Sequence, residues 1–184
     1  MGCELSPIST LQFSEMKISD EQRLGEINHG YKAALGGLSG GRVNIAACAN
    51  GLSRSAIELA KKHLTERKQF GQALAEFQGL QFMLADMRIQ FEASKLLVET
   101  AARSIEENPN DLSCRIKSSM AKCYATDSAM KITTDAVQLF GGAGYVKEYQ
   151  VERFMRDAKM LQIVEGTNQI QRVLIAREMY KEAI

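Results

Sequence analysis

The run Ile163-Val164-Glu165-Gly166-Thr167-Asn168-Gln169-Ile170-Gln171-Arg172 sets one carboxylate between two apolar residues and a glycine, just ahead of helix formers. The Gly166-Thr167-Asn168 turn supplies a polar cap for the helix that Gln169 to Tyr180 then continue. A carboxylate held at an apolar helix entrance is poorly solvated, which suits a general base. By itself, a Glu-Gly pair serves equally well as an ordinary turn.

Two further clusters have the chemistry to hold an anion. In Glu66-Arg67-Lys68-Gln69-Phe70-Gly71, Arg67 offers paired donors in a fixed plane, which suits a diphosphate. A basic residue closing a helix also serves simply as a partner for the helix dipole. In Gln138-Leu139-Phe140-Gly141-Gly142-Ala143-Gly144-Tyr145, the glycines let backbone amides approach an anion, and Gln138 can hydrogen-bond a ribose or phosphate. A lone Gly-Gly-x-Gly is more often only a helix stop.

The elements that must position these groups read as helices. Residues from Gly30 to about Arg67 form a helix in two parts, Tyr31 to Leu38 and Arg42 onward, with a kink or break at Ser39-Gly40-Gly41. Phe77, Leu80, Leu84, Met87, Phe91, Ser94, Val98, Ala101 and Ile105 alternate spacings of three and four, the seam of a long bundle helix. Glu107-Asn108-Pro109-Asn110-Asp111 ends it. A third long helix follows from Leu112 to Leu139, with Ile116, Met120, Cys123, Met130 and Val137 along one side. A short helix around Val151 to Asp157 and a final one after Gly166 complete the set. Long helices are thus expected near 42–68, 77–106 and 113–139, with the last from about 168. The fold class is all-α: an up-down four-helix bundle with a short β-like N-terminal segment, where Leu11, Phe13, Met16 and Ile18 alternate.

Composition agrees and excludes other classes. Apolar residues make up 45% of the 184, with two prolines and no tryptophan, which favours long helices. A net charge of +1 without a basic tract argues against a nucleic-acid partner. No apolar run reaches membrane-spanning length, so no membrane insertion is expected, and the first residues do not form a signal-peptide pattern. Cys3, Cys48, Cys114 and Cys123 are spaced for neither a metal site nor a disulfide framework, and read as free thiols in a reducing compartment. His29 and His63 read as solvated, and Glu66 and Asp157 as ion-pair partners of nearby arginines.

Taken in order, the Glu66–Gly71 run with Phe77-Gln78, the Gln138–Tyr145 run, Val151-Glu152-Arg153-Phe154-Met155-Arg156-Asp157-Ala158-Lys159 and the Glu165 run resemble the C-terminal domain of acyl-CoA dehydrogenases. The resemblance extends from about Gly25 to Arg177. It implies a flavoprotein that carries FAD and dehydrogenates an acyl-CoA to the trans-2-enoyl-CoA, with Glu165 as the base that removes the α-proton. It implies cofactor contacts at Arg67, Phe70, Gln78, Gln138, Leu139, Phe140, Gly141 and Gly142, serving a neighbouring subunit, and at Thr167, Asn168 and Gln169 in the same subunit. Substrate contacts are implied at Tyr31, Ser39, Arg42 and Gly166, and the Glu165 amide is implied as a donor to the thioester oxygen. Ser39 departs from the Asp or Asn of many relatives. Gly41 matches the position where some members carry the base instead. Leu38 to Ala46 looks closest to relatives that handle short or branched acyl chains.

The same resemblance implies a homotetramer, electron-transferring flavoprotein as the electron acceptor, and a bacterial cytoplasmic or mitochondrial-matrix location. It divides the chain into residues 1–24, a remnant of a middle β-domain, and 25–184, the helical bundle. A catalytically inactive helical oligomerisation module is the alternative for the chain by itself.

Overall fold

The computed structural model describes residues 1–108 and 112–181. A short helix α1 (Gly30–Gly36) leads into three long ones, α2 (Leu38–Glu66), α3 (Gln78–Glu107) and α4 (Leu112–Phe140), then α5 (Val151–Leu161) and α6 (Asn168–Met179). A hairpin of two-residue strands, β1 (Lys68–Gln69) and β2 (Gln72–Ala73), sits between α2 and α3. The all-α bundle is as expected.

The buried positions of α2, Ala46, Ala49, Ser53, Ala56, Ala60 and Leu64, recur at three and four with Ile57 beside them, and so do Met87, Phe91, Ser94, Val98 and Ala101 of α3. Both stripes face α4, which also receives α5 and α6 and is the centre of the bundle. A helix surrounded in this way has no single apolar side. Its buried residues are mainly small: Ser118, Ala121, Ala125, Thr126, Ala129, Thr133 and Ala136. The Thr126 and Thr133 hydroxyls are satisfied by the carbonyls of Lys122 (2.8 Å) and Ala129 (2.7 Å) within the same helix. The expected apolar side is therefore corrected, since Met120 is exposed and Ile116 only half-buried.

The core has two parts. Around Leu64, Met87, Phe91, Ile132, Leu139 and Phe154 it is built of large side chains. Around Ala46, Ala49, Ala101, Ala121, Ala125, Ala129 and Ala158 it is built of alanines, which lets the helices approach closely beneath the Glu165 turn.

Several expectations need correction. The break in the first helical stretch falls at Gly37, and α2 runs unbroken through Ser39, Gly40 and Gly41, with the Gly41 amide bonded to the Gly37 carbonyl at 3.2 Å. Residues 68–70 leave the helix for the hairpin. Leu11, Phe13, Met16 and Ile18 form no strand and stay exposed, because a lone strand has no edge to pair with. The N-terminal segment touches the bundle through the Cys3 amide, which donates to Asp157 Oδ1 at 2.6 Å, and the Arg156–Glu4 pair at 3.1 Å. Glu66 pairs with Lys62, not an arginine, and His63 is stacked on Phe140 at 4.2 Å instead of being solvated. All four cysteines are free. The Pro109-Asn110-Asp111 stop lies outside the described residues.

Candidate active site

After α5 the chain turns back on itself, with the Ile163 and Val164 amides both donating to the Met160 carbonyl at 2.9 and 3.1 Å. Glu165 and Gly166 follow in the left-handed region, at φ 56° and 86°. Glycine adopts that geometry freely; a glutamate there costs on the order of 1 kcal/mol and persists only where its surroundings hold it. Thr167 then caps α6, its hydroxyl accepting from the Ile170 amide at 3.3 Å.

The Glu165 carboxylate lies against Gly41 of α2. A Cβ at Gly41 would stand 2.8 Å from Glu165 Cδ and 3.0 Å from Oε1, closer than van der Waals contact allows. The space a side chain would fill on α2 is thus occupied by the carboxylate. Glu165 Oε2 is buried with no hydrogen-bond partner, and the Glu165 amide donates to no acceptor among the described residues. A buried, unpaired carboxylate oxygen is costly, and chemically it can accept a proton from a group brought beside it.

Two cations lie close to this turn. Arg42 is only 8% exposed and donates to Ser119 Oγ at 3.3 Å. Burial pushes its guanidinium down from the usual range, and the nearby Glu165 charge opposes that shift. Lys122 of α4 is fully buried, at 0% exposure. Its Nζ donates to the Gly166 carbonyl at 2.9 Å and to Asn168 Oδ1 at 2.7 Å. Burial, outweighing the pull of Cys123, Asp127 and Glu165, brings its ammonium down to about 8. From α6, Gln171 Nε2 donates to the carbonyls of Glu165 (3.1 Å) and Gly166 (3.0 Å).

Behind the turn, Asp127 Oδ1 accepts from Gln162 Nε2 and Asn168 Nδ2, both at 2.7 Å, and its Oδ2 accepts from Arg172 at 2.6 Å. Burial alone would raise the Asp127 carboxyl, but the hydrogen bonds from Arg172, Asn168 and Gln162 hold it below the ordinary range.

At the other end of α2, a surface cleft of about 690 Å³ brings together Arg67, Gln138, Phe140, Gly141 and Gly142, with His63 and Tyr149 beside them. Gly141 has φ 60°, and a Cβ on either Gly141 or Gly142 would meet nothing within 4 Å, so both backbones are open to a ligand. Phe70 holds the hairpin turn at φ 55°, is 88% exposed, and meets Phe77 edge-on at 6.2 Å. A bulky residue in that conformation and exposure serves packing poorly, which points to contact with something outside the chain. The exposed Gln78 opens α3 beside it.

The structure therefore gathers the Arg67 and Gln138–Gly142 clusters in one cleft and keeps them apart from Glu165. Gly41 and Arg67 are separated by 26 residues of helix and cap, which spans roughly 39 Å at 1.5 Å per residue. Some expected contacts are differently placed. Arg42 is turned into the bundle, not toward solvent, where it bonds Ser119 and feels the Glu165 charge while its buried Nε finds no partner among the described residues. The Asn168 side chain is spent on Lys122, Thr126 and Asp127, and only 3% of the residue is exposed. Leu139 is packed in the core, with its side chain among the large apolar residues. Tyr31 stands exposed, Ser39 is half-buried, and Thr167 and Gln169 flank the start of α6.

Lys122, Gln171, Ser119 and Asp127 were not expected from the sequence. The available signal was Lys122 itself, between Ala121 and Ala125 on the inward side of α4, where a solvated lysine does not belong.

Residues 28–180 match the family model described as acyl-CoA dehydrogenase, C-terminal domain. The probable acyl-CoA dehydrogenase FadE25 of Mycobacterium tuberculosis is 46% identical over 98% of this chain and 46% of its own length. The mitochondrial isobutyryl-CoA dehydrogenase of Bos taurus is 40% identical over 99% of this chain and 43% of its own. The solved butyryl-CoA dehydrogenase of Megasphaera elsdenii superposes with a TM-score of 0.86 at 42% identity, over 91% of this chain and 43% of that one. The chain thus spans less than half the length of these relatives. Sequence and fold agree, and the chain belongs to the acyl-CoA dehydrogenase family.

Proposed function

We propose that this chain supplies the base and part of the FAD-binding surface of an acyl-CoA dehydrogenase that converts a short or branched acyl-CoA to its trans-2-enoyl-CoA. One observation carries the reading: Glu165 Oε2 is buried and unpaired, in the space that a missing side chain at Gly41 leaves open. In this reading Glu165 takes the α-proton of the thioester onto its carboxylate. The unpaired Glu165 amide stabilises the charge that develops on the thioester oxygen, a role that preorganised donors perform well. FAD, when bound, supplies the two-electron acceptor for the hydrogen that leaves the β-carbon. Gly41 clears space beside the base, and Tyr31, Ser39 and Gly166 border the substrate. Arg42 acts from inside the bundle, as a buried cation near the base.

The open cleft fits an anionic cofactor. Arg67 offers paired donors, Gly141 and Gly142 offer unobstructed backbone, and Gln138, Phe140, Phe70 and Gln78 complete the surface. The family resemblance implies that this cleft, a whole helix length from Glu165, serves the FAD of a neighbouring copy, while Thr167 and Gln169 face the chain's own. That division requires an oligomer, and we propose a homotetramer. Phe82, Ile89 and Leu96, seven apart on α3 and each at least 60% exposed, support it as an unpaired apolar stripe. Residues 1–24, whose apolar side chains stand exposed, are read as part of a middle β-domain, with 25–184 as the bundle.

The family resemblance supports electron-transferring flavoprotein as the acceptor and a bacterial cytoplasmic or mitochondrial-matrix setting. No helix among the described residues is long and apolar enough to cross a membrane. The dehydrogenases among the relatives favour this reading over an inert assembly module. The test is anaerobic mixing of the complete FAD-loaded dehydrogenase that contains this chain with isobutyryl-CoA, butyryl-CoA and a long-chain acyl-CoA. Bleaching of the flavin band by the first two, faster than by the third, is expected; no bleaching by any would overturn the proposal.

A further inference from the structure

Lys122 is a fully buried lysine that the reaction does not use. Its Nζ is within hydrogen-bond reach of the Gly166 carbonyl and Asn168 Oδ1, and it forms no ion pair among the described residues. A buried ammonium without a carboxylate partner costs stability, and an apolar side chain of similar volume would avoid that cost. Its two contacts are both made to the segment that carries Glu165. The Gly166 carbonyl receives Lys122 from α4 and Gln171 from α6, and Gln171 also holds the carbonyl of Glu165 itself. Two consecutive left-handed residues are thereby gripped from two helices.

We propose that Lys122 is a positioning residue for Glu165, fixing the Glu165–Gly166 turn from within the bundle so that carboxylate and amide keep their places. The inference rests on the reading of Glu165 as the base. Lys122 touches neither substrate nor cofactor; it acts through the turn. Its low proton affinity agrees with a buried site that geometry demands and stability does not. Loss of the ammonium leaves the turn with Gln171 alone, free to sample other conformations.

The test is Lys122→Met in the FAD-loaded protein. Amide exchange over residues 163–168 should quicken about tenfold while exchange in α2 and α3 stays unchanged, a local opening and not a global one. Flavin reduction by substrate should slow by about tenfold to a hundredfold with the substrate KM and FAD content little altered. In a Glu165→Gln background, Lys122→Met should cost nothing further, because the two act as one unit. Unchanged exchange at the turn, or a full multiplicative loss on top of Glu165→Gln, overturns the proposal. Lys122→Gln, shorter and uncharged, serves as the second variant with the same expected pattern. If neither variant folds, Lys122 is a stability residue and the proposal fails. If the wild-type protein reduces no flavin with acyl-CoA, the functional reading fails instead, and the exchange result still decides whether Lys122 holds the turn.

Discussion

Gly41→Ala separates the site's geometry from the fold's stability. The new methyl would lie 2.8 Å from Glu165 Cδ and 3.0 Å from Oε1, where ordinary contact begins near 3.4 Å. The carboxylate must therefore retreat by at least roughly half an ångström, and a misplacement of about 1 Å costs about a hundredfold in rate. We expect flavin reduction to slow by about tenfold to a hundredfold. The fold should not suffer, because the overlap falls on the far end of a flexible side chain. Alanine is also favoured over glycine inside a helix by about 1 kcal/mol. Anaerobic stopped-flow reduction reports the rate, and a thermal melt reports stability. A Gly41→Ala protein that reduces its flavin at the wild-type rate would refute the placement of the carboxylate. Loss of rate only in step with loss of fold or FAD would refute the separation.

Three other outcomes follow from the same structure. The Lys122 ammonium is held at about 8 against an unfolded value of 10.5, so between those pH values the unfolded chain binds the extra proton and stability rises with pH. The gain is on the order of 3 kcal/mol; denaturant titrations from pH 7.5 to 10 should show it in wild type and lose it in Lys122→Met. Phe70→Asn removes a bulky residue from a left-handed turn that asparagine accepts. The thermal midpoint should hold or rise while FAD affinity, followed by fluorescence titration, falls; unchanged affinity would dismiss Phe70 as a cofactor contact. Leu64→Ala empties a site that is 1% exposed among Met87, Ile132 and Phe154, and should cost about 2–5 kcal/mol in urea unfolding. A loss below about 1 kcal/mol would show that this core is looser than described.

Legibility followed the physical setting of each element. The Phe77–Ile105 seam could be read because α3 buries one face, so its three-four spacing survives in the sequence. The face of α4 could not, because a central helix is covered from several sides and its alanines, serines and threonines leave no single stripe. Gly40 and Gly41 suggested a break for sound reasons of propensity. Tertiary packing overrode that, since Gly41 is needed inside α2 to admit the Glu165 carboxylate. The hairpin escaped notice because Gln69-Phe70-Gly71-Gln72 lacks β-branched residues, and only Gly71 marks the turn. At the candidate site, Glu165 stands out in the sequence through its flanks and its family match. Its supports were not, because a lysine and a glutamine read as surface residues until the fold shows them buried.

The central claim is that Glu165 is the base, and Glu165→Gln tests it most directly by keeping the shape and removing the basic oxygen. In the FAD-loaded protein the variant should retain FAD and bind acyl-CoA. It should lose nearly all exchange of the substrate α-proton with solvent deuterium and nearly all flavin reduction, with Glu165→Asp intermediate. Flavin reduction in Glu165→Gln at close to the wild-type rate would place the base elsewhere and contradict the account.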